Sequence, residues 1–410
     1  MSVKRNSVLT FALISCLTVS CTLLSPVSAT NLDDGYPQGT AAPGRTCPFT
    51  DEGTKTISDY SGKTLICTMI NGEKKWWIEG DALPAPAPTQ KPAGQPQASP
   101  GPSGTTTPTT EIQYTPTYKL SAKSLATMKV FENVVYATQS PSQRLDIYMP
   151  KGVVKPPLIV WTHGGGFVFG DEDFMKFDES AKLLEVLIKN GIAVASVNYR
   201  LAQEAMFPAA GIDTKSAIRF LRAKASTYGY DPKKFATAGD SAGSYLALMT
   251  AITGDQPSPF DNPADPNKKV SAAVSTVIDL FGNVDFFEMA SNKIKYPCDQ
   301  SKNPFPPDSG NIHPWFGDTT NPTVQAAMTS GGLYPYLKKS KAIPTFYIFH
   351  GTNDCSVSPV DSKNLDKTVK ALKGKSTLTL IPGAIHGGAG VWKAVMKAVP
   401  TIKKTLASAK

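Results

Sequence analysis

A strand-like run at residues 234–238 breaks off in Gly239-Asp240-Ser241-Ala242-Gly243, and helical periodicity follows at once over 241–253. A chain turns from strand to helix in so few residues only through a sharp bend. The serine at the bend must take unusual backbone angles, and its neighbours must be small to avoid clashes. Its hydroxyl is then held exposed at a helix N-terminus, where the dipole favours developing negative charge. The same alternation recurs around this step. Apolar, β-branched runs lie at 129–137, 143–149, 157–161, 192–198, 234–238, 272–280, 345–350 and 377–381, and helical periodicity fills 176–190, 209–228, 241–253, 360–372 and 390–409. Two strand runs come first; after that, strands alternate with helices. This order predicts an α/β fold on a mostly parallel eight-stranded sheet with right-handed crossovers. In such a sheet, chemistry collects at the carboxyl ends of the strands.

The run at 157–162 leads into His163-Gly164-Gly165-Gly166-Phe167. Three glycines let bare backbone N–H groups approach a substrate oxygen, as an acyl-transfer site requires for its tetrahedral intermediate. A phosphate loop would call for a lysine or a G-x-G-x-x-G helix start, and neither is present. The N–H of Ala242, next to the serine, is expected as a further donor. His163 and Gly164 are expected to support the loop by hydrogen bonding.

A serine nucleophile needs a histidine base and an acid in the chain order Ser…Asp…His. The chain has four histidines: His163, His313, His350 and His386. His163 precedes the serine, and His313 sits in a Pro/Asn-rich stretch. His350 ends a strand run without a convincing acid between it and Ser241. His386 follows the last strand run in Pro382-Gly383-Ala384-Ile385-His386-Gly387-Gly388 and is the expected base. The expected acid is Asp354, just past the preceding strand; Asp361 is the alternative but is better placed to cap a helix. Ser241, His386 and Asp354 would then attack a carbonyl, move the proton and orient the imidazole, with no metal and no organic cofactor.

Upstream of residue 118 the sequence changes character. Lys4 and Arg5, the apolar stretch 8–24 and the small residues Val27-Ser28-Ala29 predict a secretory signal peptide over 1–29. A membrane anchor, or lipoprotein processing at Leu13-Ile14-Ser15-Cys16, is the other reading. Four of the six cysteines remain after such a cleavage: Cys47, Cys67, Cys298 and Cys355. An even number in an exported chain favours disulfides, Cys47 with Cys67 locally and Cys298 with Cys355, against free buried thiols. Residues 30–80 are expected to form a small β module stapled by Cys47–Cys67. Its Trp76 and Trp77 either fill a tiny core or offer a platform for a cell-wall or polysaccharide partner. Residues 81–110 hold eight prolines and only two charged residues, so 81–117 reads as an extended linker, and 118–410 as the main domain. The net charge of +9, from 42 basic and 33 acidic residues, is mild for this length. Without a dense basic run interleaved with aromatics, it argues against a nucleic-acid partner.

Taken together, the His163–Gly164–Gly165–Gly166–Phe167 loop, the Gly239–Asp240–Ser241–Ala242–Gly243 turn and Asn198-Tyr199-Arg200-Leu201-Ala202 between them resemble the hormone-sensitive-lipase-like α/β-hydrolases. They also resemble the bifunctional feruloyl and acetylxylan esterase-like branch, and Phe207-Pro208-Ala209-Ala210 and Tyr230-Asp231-Pro232 fit the same pattern. The resemblance covers about 130–400. It implies a serine carboxylesterase, which the signal peptide would make a secreted one, acting on a small or polymer-linked ester, including acetyl or feruloyl groups on plant polysaccharide. It also favours Gly165 and Gly166 as the oxyanion donors of the loop. Gln203 and Ser244 depart from the usual Pro and Gly of that pattern. The helical cap of the lipase-like members looks reduced, and an insertion over 283–342 stands ready to frame the pocket. Cys355, next to Asp354, would tie to Cys298 within that insertion and fix the acid's loop. An arylformamidase- or peptidase-like amide hydrolase, or a non-catalytic binding protein on the same fold, are the competing classes.

Overall fold

The computed structural model describes residues 55–57, 64–70, 73–78, 116–289, 296–302 and 313–408. The expected signal peptide, the Cys47–Cys67 staple, the side chains of Trp76 and Trp77 and nearly all of the linker lie outside the described residues. In the amino-terminal part, β1 (Lys55–Ile57), β2 (Thr64–Ile70) and β3 (Glu73–Ile78) form an antiparallel sheet in which Cys67 stands opposite Trp76.

The main sheet has eight strands: β4 (Met128–Val135), β5 (Arg144–Pro150), β6 (Leu158–Thr162), β7 (Ala193–Val197), β8 (Phe235–Asp240), β9 (Thr276–Leu280), β10 (Thr345–Gly351) and β11 (Ser376–Ile381). Each corresponds to one of the eight runs in the sequence. Their spatial order is β11-β10-β9-β8-β6-β7-β5-β4. Every pair from β11 to β7 is parallel, and β5 runs antiparallel to both its neighbours. The chain leaves β6 to one side for β7 and returns on the other for β8. The loops leaving β6 and β8 therefore diverge from the same edge, which creates a crevice at that topological switch point.

Strands β6 to β9 are buried along their whole length because helices cover both faces, the usual condition of a parallel sheet. Side chains alternate between the two cores. Trp161, Ala238, Ile278 and Tyr347 face the helices Asp178–Lys189 and Ala389–Ala407. On the other face, Val160 lies against the helix Ala209–Ala223 and its Ala217, Ile218 and Leu221. On that same face Val277 and Phe346 lie against Ser241–Thr253 and Pro359–Ala371. One expected helix is broken. The periodicity across 209–228 continues through Ala217, Leu221 and Ala225, which share one core. The helix nonetheless stops before Lys224, and a further turn, Ala225–Tyr228, is closed by Gly229 in the left-handed region at φ 97°.

Between β9 and β10 the short helices His313–Phe316, Pro322–Gly331 and Tyr334–Lys339 pack apolar residues onto the second core. Trp315 stacks on Phe167 at 3.8 Å between ring centroids. This insertion thus packs against the glycine loop itself.

Candidate active site

Ser241 follows β8 directly and opens its helix with φ at 50°, a strained region for a residue with a side chain. The turn closes only because its flanks lack side chains. A Cβ on Gly239 would stand 2.5 Å from the backbone of Gly243, and a Cβ on Gly243 would stand 2.1 Å from the carbonyl oxygen of Thr162. The spacing of glycines in the sequence is therefore a steric requirement of strand β6 lying beside the turn.

His386 lies in the turn after β11, and the Trp392 indole N–H donates to Gly387 O at 3.1 Å to pin that turn. Its Nε2 is 2.9 Å from Ser241 Oγ, and its Nδ1 is 2.7 Å from Asp354 Oδ2. A carboxylate only accepts, so Nδ1 carries the hydrogen and Nε2 is left to accept from the serine hydroxyl. Asp354 stands in the turn after β10, 2% exposed. Its Oδ1 accepts the backbone N–H groups of Ser356 and Val357, both at 2.9 Å. Burial by itself would push this carboxyl up, but His386 and His350 outweigh it and hold it well below the ordinary carboxylate range. Asp354 is therefore a fixed anion at His386 Nδ1, and a proton passing from Ser241 Oγ to Nε2 would require no rearrangement of either side chain.

The glycine loop after β6 lies beside this chain of bonds. The N–H of Gly164 donates to Asp240 Oδ1 at 3.1 Å, which ties the glycine loop to the serine turn. His163 is fully buried and stacks on Tyr199 at 4.3 Å, with Nδ1 2.8 Å from Gly164 O. Burial pushes its pKa down to about 4, which leaves it a neutral structural ring. Gly165, at φ 113°, lines the cavity beside Ser241. Gly166 has φ 58° and follows it in the same turn, and Ala242 is buried behind the serine. The structure thus brings Ser241, Asp354, His386, Gly165 and Ala242 to one place. His350 reaches Asp354 from another side, and Asp361 is buried in the first turn of the helix Pro359–Ala371.

A cavity of about 310 Å³ opens on Ser241 and His386. Phe169, Phe174, Phe177, Phe281 and Trp392 give it an aromatic wall, and Asp171, Asp178 and Glu179 also line it. Phe281 packs edge-on against the His386 ring at 4.7 Å. Three features of the site escaped the reading of the sequence. Phe174 and Phe177 fall just ahead of the helix Asp178–Lys189, where apolar residues look like core. Asp240 is buried and pushed up to about 7, although a carboxylate between two small residues reads as a solvated turn. Thr117 N–H and Oγ–H and Tyr118 N–H all donate to Asp178 Oδ1, at 2.8, 2.7 and 3.0 Å. The junction between the expected linker and the main domain, Thr117 and Tyr118, is thereby tied to the wall of the cavity.

The expected Cys298–Cys355 pair forms a disulfide with Cα atoms 5.5 Å apart. Tyr296 Oη–H donates to Thr352 O at 2.6 Å and Asp299 N–H to Asn353 Oδ1 at 2.8 Å. Three ties, at Thr352, Asn353 and Cys355, thus hold the turn that carries Asp354.

Known proteins share this organisation. The BD-FAE family model matches residues 145–369, more than half of the chain. Esterase LipC of Mycobacterium tuberculosis is 24% identical over 251 residues, which is 60% of this chain and 57% of that protein. The probable isoprenylcysteine alpha-carbonyl methylesterase ICMEL1 of Arabidopsis thaliana is 25% identical over 259 residues, or 63% and 51%. The chain thus spans little more than half the length of these curated relatives. Among solved structures, a truncated carbohydrate esterase from gut microbiota superposes with a TM-score of 0.55 at 25% identity, covering 67% of this chain and 96% of that one. The family match runs from β5 through the serine turn to the helix after Asp354, the same stretch that builds the switch-point crevice. On that agreement the chain belongs to the BD-FAE family, on an α/β-hydrolase fold of the hormone-sensitive-lipase-like group.

Proposed function

We propose that the protein is a secreted carboxylic-ester hydrolase that works through an acyl-enzyme on Ser241. The observation that carries this reading is the unbroken series from Ser241 Oγ to His386 and on to Asp354, at 2.9 and 2.7 Å, opening on an aromatic cavity. Ser241 attacks the ester carbonyl as His386 Nε2 takes its proton. Asp354 holds the ring and stabilises the imidazolium. The N–H groups of Ala242, Gly165 and Gly166 receive the oxyanion. His386 then gives the proton to the leaving alkoxide, and a water activated by the same nitrogen hydrolyses the acyl-enzyme. The aromatic wall suits an apolar or aryl acyl group, and one of the solved structures that the chain resembles is a carbohydrate esterase. Feruloyl or acetyl esters of plant polysaccharide are therefore the substrates to test first. The Cys298–Cys355 bridge supports export to an oxidising compartment. Residues 30–80 are the part proposed to meet a polysaccharide or wall surface.

The test is a series of p-nitrophenyl esters of increasing chain length beside methyl ferulate and acetylated xylan. Ser241→Ala is expected to lower kcat by roughly 10⁴-fold or more on every ester that the wild type hydrolyses. Wild-type rates in the alanine variant would rule the mechanism out. Turnover confined to amides would move the protein to another class.

A further inference from the structure

A second histidine shares the carboxylate of Asp354. His350 stands at the end of β10 with its ring fully buried. Its Nε2 lies 3.2 Å from Asp354 Oδ2 and 2.9 Å from the carbonyl oxygen of Val357. Both neighbours only accept, so Nε2 carries a hydrogen in every state of the ring. Its Nδ1 lies 2.7 Å from Ser362 Oγ, on the helix Pro359–Ala371. A hydroxyl can donate or accept, so this contact serves a neutral ring and a cationic one alike. Asp354 thus takes two hydrogens on Oδ1, from Ser356 and Val357, and one on Oδ2, from His386, while His350 Nε2, whose hydrogen goes to Val357 O, makes an ion-pair contact with the same Oδ2 at 3.2 Å.

The charged and titratable groups facing His350 are Asp354 on its own turn and Asp279 on the neighbouring β9, with His386 across Asp354. Asp279 is fully buried, and its Oδ1 accepts from Ser244 Oγ–H at 2.6 Å and from Gly282 N–H at 2.9 Å. Ser244 is the residue that stands where the family pattern has glycine, so this chain adds a hydroxyl to the network. Burial opposes a charge on His350, but its bond to Asp354 and the charges of Asp354 and Asp279 outweigh burial and raise its pKa. The ring thus lies between two buried acidic groups that favour its charged form, and one of them also contacts His386.

We infer that His350 is a positioning residue: it fixes the Asp354 carboxylate through Oδ2 and, by its charge, sets the basicity of His386. The inference rests on the proposed roles of Ser241, His386 and Asp354. A cation on the carboxylate oxygen that His386 also uses stabilises the His386 imidazolium less than a free carboxylate would. Removing the charge while keeping a donor should therefore raise the apparent pKa of His386.

The experiment is the pH dependence of kcat/KM for wild type, His350→Gln and His350→Leu on one p-nitrophenyl ester, with Ser241→Ala alongside. His350→Gln keeps an uncharged N–H group beside Asp354 and Val357. Its acid limb is expected to move to higher pH by roughly half a unit to one unit, with the plateau kcat lowered less than tenfold. His350→Leu removes both the polar ring beside Asp354 and the tie to Val357, and kcat is expected to fall roughly 10- to 100-fold with KM little changed. An acid limb in His350→Gln that superimposes on wild type overturns the inference, as does a wild-type kcat in His350→Leu. Imidazole ¹⁵N NMR of the wild-type protein reads the charge without any substitution, so a variant that fails to fold does not stop the test. Protonation of both His350 nitrogens at pH 6 is expected, and a neutral ring there overturns the proposal. Full activity in Ser241→Ala would instead remove the mechanism beneath it, an outcome separate from an unmoved acid limb.

Discussion

Asp240 shows how one residue can be obvious in a motif and still hide its chemistry. It sits between Gly239 and Ser241 on a turn forced by sterics, and its side chain anchors the glycine loop through Gly164. Burial raises its pKa to about 7, against about 4 in an unfolded chain. Between those values the folded state keeps a proton that the unfolded state has lost, so stability falls as pH rises from about 4 to 7. Asp279, raised to about 6 by burial, acts in the same direction over a narrower window. Asp240→Asn keeps the acceptor for Gly164 and abolishes the titration. Its stability relative to wild type is expected to improve by ~1–3 kcal/mol on going from pH 5 to pH 7.5, measured by urea unfolding at each pH. A difference that stays constant with pH would show that Asp240 does not titrate in the folded state. The motif names this residue, but the sequence does not reveal its burial, because burial comes from β6 and the glycine loop lying alongside.

The decisive element is the turn from Gly351 to Ser358, which carries the proposed acid. Its own sequence is polar and would be mobile in isolation. It is held by Tyr296, by Asp299 and by the Cys298–Cys355 bridge, whose cysteines are 57 residues apart in sequence. Closing a loop of that length removes unfolded-state entropy equivalent to ~4 kcal/mol at most. The double variant Cys298→Ser, Cys355→Ser is expected to lose roughly 2–4 kcal/mol in chemical unfolding and to show a lower kcat well below its melting temperature. An unchanged unfolding midpoint with unchanged kcat would mean that the hydrogen bonds alone hold the turn. The strand and helix runs were legible because each carries its own period. The break at Lys224 was not, since Ala217, Leu221 and Ala225 keep facing one core across it.

At the scale of the molecule, the eight-stranded sheet and the site are built from described residues after 116. Removal of residues 1–110 is expected to leave kcat and KM on soluble esters within about twofold of wild type. Removal of residues 1–119 also takes away Thr117 and Tyr118, which hold Asp178 at the cavity wall. That shorter protein is expected to lose melting temperature and to raise KM; equal behaviour of the two truncations would count against a role for this tie. The sequence by itself determined the fold class and the strand-to-helix turn at Ser241, and it singled out Asp354 and His386 as the candidates to test, because these follow from local periodicity, steric limits at glycine and chain order. Only the tertiary structure decided which aromatics line the cavity, that Asp240 is buried and that His350 leans on Asp354. Those outcomes depend on which segments the sheet order brings side by side, and contacts between residues distant in sequence leave no period to read.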